Sequence, residues 1–161
     1  MGFPPALRLV LLAFAVYQSR DLALAWRDAP YERFSLIAFL LWVVPVIVAR
    51  WRKERSEASD SVVDGIAVVC LVAKSVTGLN LLAYIGLALM LSRFGRPTGR
   101  GALFVWSLGA FLWMPVTGWG LSTVDPALLG WMRVTLVALI SLGSCTALRS
   151  ESMPLAEGRS A

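Results

Sequence analysis

Long apolar runs separated by short charged segments make up most of this chain. The longest run without a charged residue is Ala102–Val124. At about 1.5 Å per residue it is long enough to cross the roughly 30 Å hydrocarbon core of a bilayer. Apolar runs elsewhere predict five more helices, at Pro5–Ala25, Phe34–Ala49, two within Ser61–Phe94, and Ala127–Leu148. The pattern therefore predicts an all-α fold, a polytopic transmembrane bundle of about six spans.

Glycine and proline predict where these helices kink or end. Thr77-Gly78 divides the third helix from the fourth, because the whole segment is too long for one straight span. Pro45 is expected to kink the second helix, as membrane helices tolerate. Met114-Pro115, followed by Gly118-Trp119-Gly120, predicts that the outer third of Ala102–Val124 is kinked or unwound.

Two short basic loops orient the predicted bundle. RWRKER (Arg50–Arg55) follows the second helix, and Arg93, Arg96 and Arg100 follow the fourth. The connections after the third and fifth helices carry no Lys or Arg. By the positive-inside rule, both termini are cytoplasmic and the protein is a multi-pass inner (plasma) membrane protein. The first loop, Trp26–Ser35, is an exception to this rule, because it contains Arg27 and Arg33 although it would lie outside. Its Trp26 and Tyr31 are expected in the interfacial aromatic belt.

Domain organisation follows from the same pattern. Residues 1–148 are predicted to form one transmembrane helical domain, and residues 149–161 a short polar cytoplasmic tail that buries too little apolar surface to fold alone. Ala23-Leu24-Ala25 resembles a signal-peptidase site, but Gln18, Arg20 and Asp21 interrupt the approach to it. A retained first helix is therefore expected.

Composition agrees with a membrane protein. Charged residues make up 16% of the chain and hydrophobic residues 58%, whereas soluble domains carry about 25% charged residues. The net charge of +5 does not indicate a nucleic-acid partner, because the basic residues cluster between apolar runs. The expected partners are the lipid bilayer and another membrane protein.

Candidate catalytic chemistry is sparse. The chain has no histidine, which removes the usual general base and the commonest metal ligand. Cys70 and Cys145 lie far apart in apolar segments, without the spacing of a redox or metal site. No HExxH, P-loop, GxSxG or EF-hand pattern occurs. We therefore expect neither a catalytic site, a cofactor nor a bound metal.

Four charged residues fall within the predicted spans, namely Arg8, Asp64, Lys74 and Arg133. Charges at membrane depth are costly and mark candidate functional sites. Snorkelling to the headgroups accounts for the first three. Arg133 interrupts an otherwise apolar helix. We therefore hypothesise a polar or anion site built from Lys74, Arg133 and Asp64. It would hold a lipid phosphate, or a carboxylate such as Asp125 or Glu32.

The fifth helix carries a second feature of interest. Trp106 and Trp113 are seven residues apart, with Gly109 and Ala110 between them, so large rings and small residues share nearly one face. Interhelical packing is the expected use of this face. The alternative is a groove that admits a lipid tail or a partner helix.

The order of these segments resembles the membrane core of the exosortase/archaeosortase family, multi-pass enzymes that process sorting signals. The matching pieces are Trp26-Arg27-Asp28 with Tyr31, Arg50-Trp51-Arg52, the Asp64–Ser92 hairpin and Trp113-Met114-Pro115. The resemblance implies a multi-pass fold and a role in protein sorting. The family also has catalytic Cys, Arg and His residues in a later portion. Since this chain lacks histidine, no catalytic residue is transferred to it.

Three functions remain open from the sequence. The leading one is a non-catalytic, exosortase-like structural or accessory membrane protein. The second is a small transporter or lipid-binding protein with a polar cleft. The third is one part of a split exosortase-type transpeptidase or protease.

Overall fold

The computed structural model describes residues 4–32, 34–51, 60–95, 100–115 and 124–151. Over these residues the chain forms helices joined by turns, with no strand, which confirms the all-α prediction. The helices are α1 (Pro5–Gln18), α2 (Arg20–Asp28), α3 (Ser35–Trp51), α4 (Asp60–Thr77), α5 (Asn80–Ser92), α6 (Arg100–Trp113) and α7 (Pro126–Glu151), with a 3₁₀ turn at Pro30–Glu32.

The first predicted helix is interrupted and longer than expected. Ser19 leaves the helical conformation at φ −94° and ψ 13°, and α2 then continues to Asp28. The first residues of the predicted loop Trp26–Ser35 are therefore helical. Trp26 packs against neighbouring helices, because its ring lies on Phe39 and its Nε1 lies 3.4 Å from the carbonyl oxygen of Trp113. Tyr31 has no described side chain.

The predicted break between the third and fourth helices is confirmed. α4 ends at Thr77, and Gly78 adopts a φ of +75°, a left-handed conformation that favours glycine. Its N–H donates to the carbonyl oxygen of Lys74 (2.9 Å), which caps the end of α4. Pro45 lies inside α3, and this helix continues through it to Trp51.

The helix predicted over Ala102–Val124 is shorter than its apolar run. α6 ends at Trp113, and Met114 and Pro115 lie outside it. Proline lacks an N–H and disfavours helical geometry at the residue before it, which explains the early end. Gly118, Trp119 and Gly120 lie outside the described residues.

Contacts between the helices show that they alternate in direction. Arg8 at the start of α1 contacts Asp64 near the start of α4, while Gln18 at the end of α1 bonds Ser75 near the end of α4. α1 and α4 are thus parallel, and the α4–α5 turn makes α5 antiparallel to both. Gly95, just after α5, lies against the last turns of α3, so α3 runs in the direction of α5.

The remaining two helices continue this alternation. Stacking of Trp42 on Trp106 and an edge contact of Phe39 with Trp113 make α6 antiparallel to α3. Ser141 Oγ donates to the carbonyl oxygen of Leu41 (2.7 Å), and Arg133 contacts Ser35, so α7 is parallel to α3. The side of the bundle that carries Arg8, Arg50, Asp64 and Arg93 is called the basic end below.

Large apolar side chains cover the outside of the bundle. On α4 the exposed residues Val62, Ile66, Val69, Val72 and Val76 form one stripe at helical spacing. Similar exposed apolar stripes follow α1, α3, α6 and α7. α5 is the exception, because the helix lies at the centre and its buried residues include Ala83, Tyr84, Leu87 and Met90. Monomeric soluble proteins rarely expose apolar patches of this extent.

Two helical segments are long and apolar enough to cross a membrane, by length and composition alone. They are Ala6–Asp28, with 23 residues, and Pro126–Thr146, with 21 residues. Core helices of soluble proteins and signal sequences satisfy the same criterion, and Ala6–Asp28 lies near the N-terminus. The other apolar helices, Ser35–Trp51, Asn80–Ser92 and Gly101–Trp113, are shorter.

Candidate functional site

The described residues form a polar cluster around Arg133 and a second polar cluster around Asp64 at the basic end. An apolar cavity lies beside the tryptophans of α3 and α6. The first cluster joins the 3₁₀ turn and α3 to α7. Arg133 Nη1 donates to Glu32 Oε2 (2.8 Å) and to Ser35 Oγ (2.7 Å), and Nη2 lies 3.3 Å from Glu32 Oε1. Ser35 Oγ in turn donates to Glu32 Oε2 (2.6 Å).

This cluster is withdrawn from the surface. Arg133 is 2% exposed, Glu32 3% and Ser35 0%. A guanidinium and a carboxylate at this depth lose their hydration, and their mutual attraction and hydrogen bonds offset that loss only if both partners remain. The cluster therefore fixes the position of α7 on the start of α3. Glu32 is one of the two carboxylates that the sequence suggested as partners of Arg133.

The second cluster joins α1, α4 and the end of α5. Arg93 Nε donates to Asp64 Oδ1 (2.7 Å), and Arg8 Nε lies 3.6 Å from Asp64 Oδ2. Asp64 is 1% exposed and the Arg93 side chain 5%. The sequence suggested that Asp64 snorkels to the headgroups. In the structure its side chain is instead buried and ion-paired. Two arginines face one aspartate, so these three side chains together carry a formal charge of +1.

Lys74 has a separate and local role. Its Nζ donates to the carbonyl oxygen of Gly78 (3.1 Å) and to Asn80 Oδ1 across the α4–α5 turn. A cation near a helix C-terminus stabilises the unpaired carbonyls there. The contacts of Lys74 thus link the end of α4 to the start of α5.

The structure consequently does not bring Lys74, Arg133 and Asp64 together as one polar site. Arg133 binds Glu32 and Ser35, Asp64 binds Arg93 and Arg8, and Lys74 binds the turn that follows it. The contacts of the three residues of the hypothesised site therefore fall into three separate sets, each within its own part of the bundle.

Tryptophans connect α3 to α6 at the middle of the bundle. The indoles of Trp42 and Trp106 stack with a centroid separation of 4.4 Å and an interplanar angle of 9°. Trp42 Nε1–H donates to the carbonyl oxygen of Trp106 (2.9 Å), and Trp106 Nε1–H donates to that of Trp42 (3.1 Å). The N–H of each of these two stacked indoles therefore has a partner on the other helix. Trp113 is also buried, which confirms helix packing for this face.

An apolar cavity of about 290 Å³ lies beside this tryptophan pair. Its walls are α5 between Ile85 and Ser92, α6 between Leu103 and Phe111, and Met114 just after α6. Trp42 and Val63 lie at its sides. Ser107 and Phe111 on its rim are exposed, so the cavity opens on the surface of the bundle. A volume near 300 Å³ is at the lower limit of ordinary ligand pockets. The lining suits an apolar occupant.

The described residues include both cysteines of the chain. Cys70 and Cys145 are both half-buried and neither forms a disulfide. Among the residues that the structure describes, no group of three Cys, Asp or Glu side chains is placed to hold a metal ion.

The sequence did not predict the role of Arg93, and it gave a groove on the face of Trp106 and Ala110 only as the alternative to helix packing. Arg93 was assigned to a basic loop. A carboxylate at membrane depth needs a basic partner, so Asp64 could have indicated that a nearby arginine pairs with it. Trp42 was not singled out because one tryptophan in an apolar helix has no distinguishing pattern. No protein-family model, curated protein or solved structure matches the chain.

Proposed function

We propose that this protein is a multi-pass inner-membrane protein of six crossings, with a non-catalytic structural or accessory role. The observation that carries the proposal is the distribution of side chains: apolar stripes cover the outside, while the strongly buried charges are paired inside. In a bilayer this arrangement places hydrocarbon against lipid and pairs the charges within the protein.

Alternating helix directions support six crossings. α1, α3, α4, α5, α6 and α7 each run opposite to the one before, so each would cross the bilayer in turn. α5 and α6, with 13 and 14 residues, span about 20 Å at about 1.5 Å per residue. A shorter hydrophobic length is accommodated by local thinning of the bilayer, at a modest free-energy cost.

Charge asymmetry supports a cytoplasmic basic end. In the sequence, the connection after the second predicted helix contains Arg50, Arg52, Lys53 and Arg55, and the one after the fourth contains Arg93, Arg96 and Arg100. The connections after the third and fifth predicted helices contain no Lys or Arg. Because Lys and Arg near span ends are retained in the cytoplasm, this asymmetry supports a cytoplasmic location for both termini.

The accessory role is supported by how the charges are used. The two buried clusters link helices that are distant in sequence, Glu32 to Arg133 and Asp64 to Arg8 and Arg93. These contacts stabilise an arrangement of helices. The exosortase-like order of segments, with the Trp26 and Trp113 pieces in contact, supports a role beside a protein-sorting enzyme. A protein of this kind would act by presenting its outer faces to a membrane partner.

Cysteine labelling tests the membrane arrangement. In a variant with Cys70 and Cys145 replaced by alanine, single cysteines are placed at Arg50, Leu79 and Val69, and intact cells are treated with a membrane-impermeant maleimide. Leu79→Cys is expected to label from outside, and Arg50→Cys only after the cells are opened. Val69→Cys, although 66% exposed on the bundle, is expected to stay unlabelled because lipid covers it. Full labelling of Val69→Cys in a folded protein would refute the membrane assignment.

Photo-cross-linking tests the accessory role. Photoreactive residues are placed singly at exposed positions such as Leu40, Val105 and Leu139 on three different helices, and adducts are resolved by mass. One discrete protein adduct, obtained from one face and absent from the others, is the expected result. Adducts of lipid alone from every face would contradict an accessory role.

Lipid binding is a second candidate function, and a specific observation favours it. The cavity beside Trp42 and Trp106 is apolar and opens on a surface that the proposal places in lipid. Substrate flux through the bundle has no comparable observation in its favour.

A further inference from the structure

Pro45 lies within α3 and changes the hydrogen bonding of this helix. Proline has no backbone N–H, so the carbonyl oxygen of Leu41, four residues earlier, lacks its usual α-helical donor. The pyrrolidine ring also crowds that carbonyl, which is why helices bend at proline. α3 nevertheless continues to Trp51, and Pro45 is fully buried. The freed carbonyl therefore needs a donor from inside the bundle.

A serine of α7 supplies this donor. Ser141 Oγ donates to the carbonyl oxygen of Leu41 (2.7 Å), and Ser141 is 3% exposed. Serine hydroxyls in helices often bond the carbonyl four residues earlier in their own helix, as Ser75 Oγ does with the carbonyl oxygen of Leu71 (3.1 Å). Ser141 instead bonds across to the position that Pro45 leaves open. Side chains of neighbouring helices satisfy proline-freed carbonyls of membrane helices in the same way.

The next carbonyl of the same turn is held by α6. The carbonyl oxygen of Trp42 accepts a hydrogen bond from Trp106 Nε1 (3.1 Å), and Trp42 Nε1 donates to the carbonyl oxygen of Trp106 (2.9 Å). The turn of α3 between Leu41 and Pro45 is thus bonded to α7 at one residue and to α6 at the next. Trp42 also lines the apolar cavity, so a change in the bend of α3 at this turn moves a wall of the cavity.

The two ends of α3 contact different neighbours. Before the proline, Ser35 Oγ accepts a hydrogen bond from Arg133 of α7 (2.7 Å). After the proline, the backbone of Val46 lies so close to Gly95, just beyond α5, that a Cβ at Gly95 would meet the carbonyl oxygen of Val46. Pro45 lies between these two points of attachment. It is therefore the place where one end of α3 can turn relative to the other.

We propose that Pro45 forms a hinge in α3 and that Ser141 is the positioning residue that locks it. In the locked arrangement Trp42 stacks on Trp106 and forms one wall of the cavity. Without the Ser141 hydroxyl, the carbonyl oxygen of Leu41 loses this donor, and α3 bends at Pro45 over a range of angles. The packing of α7 thereby controls the bend of α3. The hinge requires only the packing of α3, α6 and α7, so it does not depend on the membrane assignment.

A double-mutant cycle tests whether Ser141 acts through the proline. The variants are Ser141→Ala, Pro45→Ala and the two together, and tryptophan fluorescence follows their unfolding in a denaturing detergent. Ser141→Ala is expected to raise the unfolding equilibrium constant at least about fivefold, because a buried carbonyl loses its donor. In the Pro45→Ala background, the new N–H of residue 45 bonds the carbonyl oxygen of Leu41. Removal of the Ser141 hydroxyl is then expected to change the constant by less than about twofold.

Ser144→Ala is the matched control for this cycle. Ser144 lies one turn later on α7 and is as buried as Ser141, at 3% exposure. Within the described part of the chain it makes no hydrogen bond to α3, so its replacement is expected to have the same small effect in both backgrounds. An equal effect of Ser141→Ala in the presence and absence of Pro45 would refute the proposal, since Ser141 would then not act through the proline.

Distances between two spin labels test the bend itself. In protein whose native cysteines are replaced by alanine, labels are attached at Ile37 and Trp51, which are 45% and 82% exposed. They lie on either side of Pro45, about 21 Å apart along a straight helix at about 1.5 Å per residue. Protein with no further substitution is expected to give one narrow distance. Ser141→Ala is expected to give a distribution at least about twice as wide, and the addition of Pro45→Ala to make it narrow again. A narrow distribution for Ser141→Ala, or a wide one while Ser141 and Pro45 are both present, would overturn the proposal.

Discussion

Replacing Arg133 is the most direct perturbation of the bundle. Arg133→Leu leaves the carboxylate of Glu32 and the hydroxyl of Ser35 buried at 3% and 0% exposure. It removes contacts of 2.8 Å and 3.3 Å to the carboxylate and 2.7 Å to the hydroxyl. The leucine cannot compensate the charge of Glu32, so the packing of α7 on α3 is expected to weaken.

The magnitude follows from the burial of the pair. Breaking a buried ion pair by removing one partner costs about 3–5 kcal/mol, because the other charge stays desolvated and uncompensated. Glu32→Leu is expected to cost a similar amount for the converse reason. In the double variant Glu32→Leu/Arg133→Leu neither charge remains, so the total cost should fall short of the sum of the single costs by at least about 2 kcal/mol.

Reversible unfolding in mixed micelles measures these effects. Wild type, both single variants and the double variant are titrated with a denaturing detergent, and tryptophan fluorescence follows the transition. Arg27→Leu is the matched control, because Arg27 pairs with Asp28 at a similarly short distance (2.7 Å, against 2.8 Å for Arg133 and Glu32) but both of its paired side chains are exposed. It is expected to leave the transition unchanged, since exposed ion pairs contribute little.

Two results would refute this reasoning. If Arg133→Leu shifted the transition no more than Arg27→Leu does, the buried cluster would not hold α7 on α3. If the single costs simply added in the double variant, Glu32 and Arg133 would stabilise the fold independently, and the pair would not be the unit that matters.

Two further predictions concern packing between helices. Trp106→Phe removes the 3.1 Å hydrogen bond to α3 and part of the indole stack, so it is expected to lower the free energy of unfolding by about 1–3 kcal/mol in the same assay. Trp51→Phe, at an 82% exposed position, is expected to change it very little. Equal effects of the two variants would contradict the assigned contact. Gly130→Ala places a methyl group against the ring of Phe34 and is expected to lower the free energy of unfolding by about 1–3 kcal/mol. Gly143→Ala, on the same helix, meets nothing within 4 Å and is expected to raise it by up to about 1 kcal/mol. Destabilisation by both alanines would show that contact with Phe34 is not the cause.

Helix positions were largely readable from the sequence, because they depend on local composition. The apolar runs located the helices, and Thr77-Gly78 located the α4–α5 turn, since a left-handed residue is needed there. Pro115 indicated the early end of α6 for an equally local reason. The interruption at Ser19 was missed, because the apolar run continues past it and no glycine or proline marks it.

Pairing within the candidate site was only partly readable. The sequence marked Arg133, Asp64 and Lys74 as charges that need partners, and suggested Glu32 for Arg133. It did not show that their partners differ, because Glu32 and Arg133 are 101 residues apart and only the parallel packing of α3 and α7 brings them together. Arg93 follows the same logic, since the α4–α5 hairpin places it beside Asp64.

The sequence by itself determined that this chain is helical and that short charged segments separate its apolar runs, since these properties are sums over local segments. Only the tertiary structure decided which charges neutralise one another and where space remains between helices. Both depend on the register of packed helices, which no single segment encodes. The cavity beside Trp42 and Trp106 is one consequence, because it lies where side chains of α3, α4, α5 and α6 leave a volume unfilled.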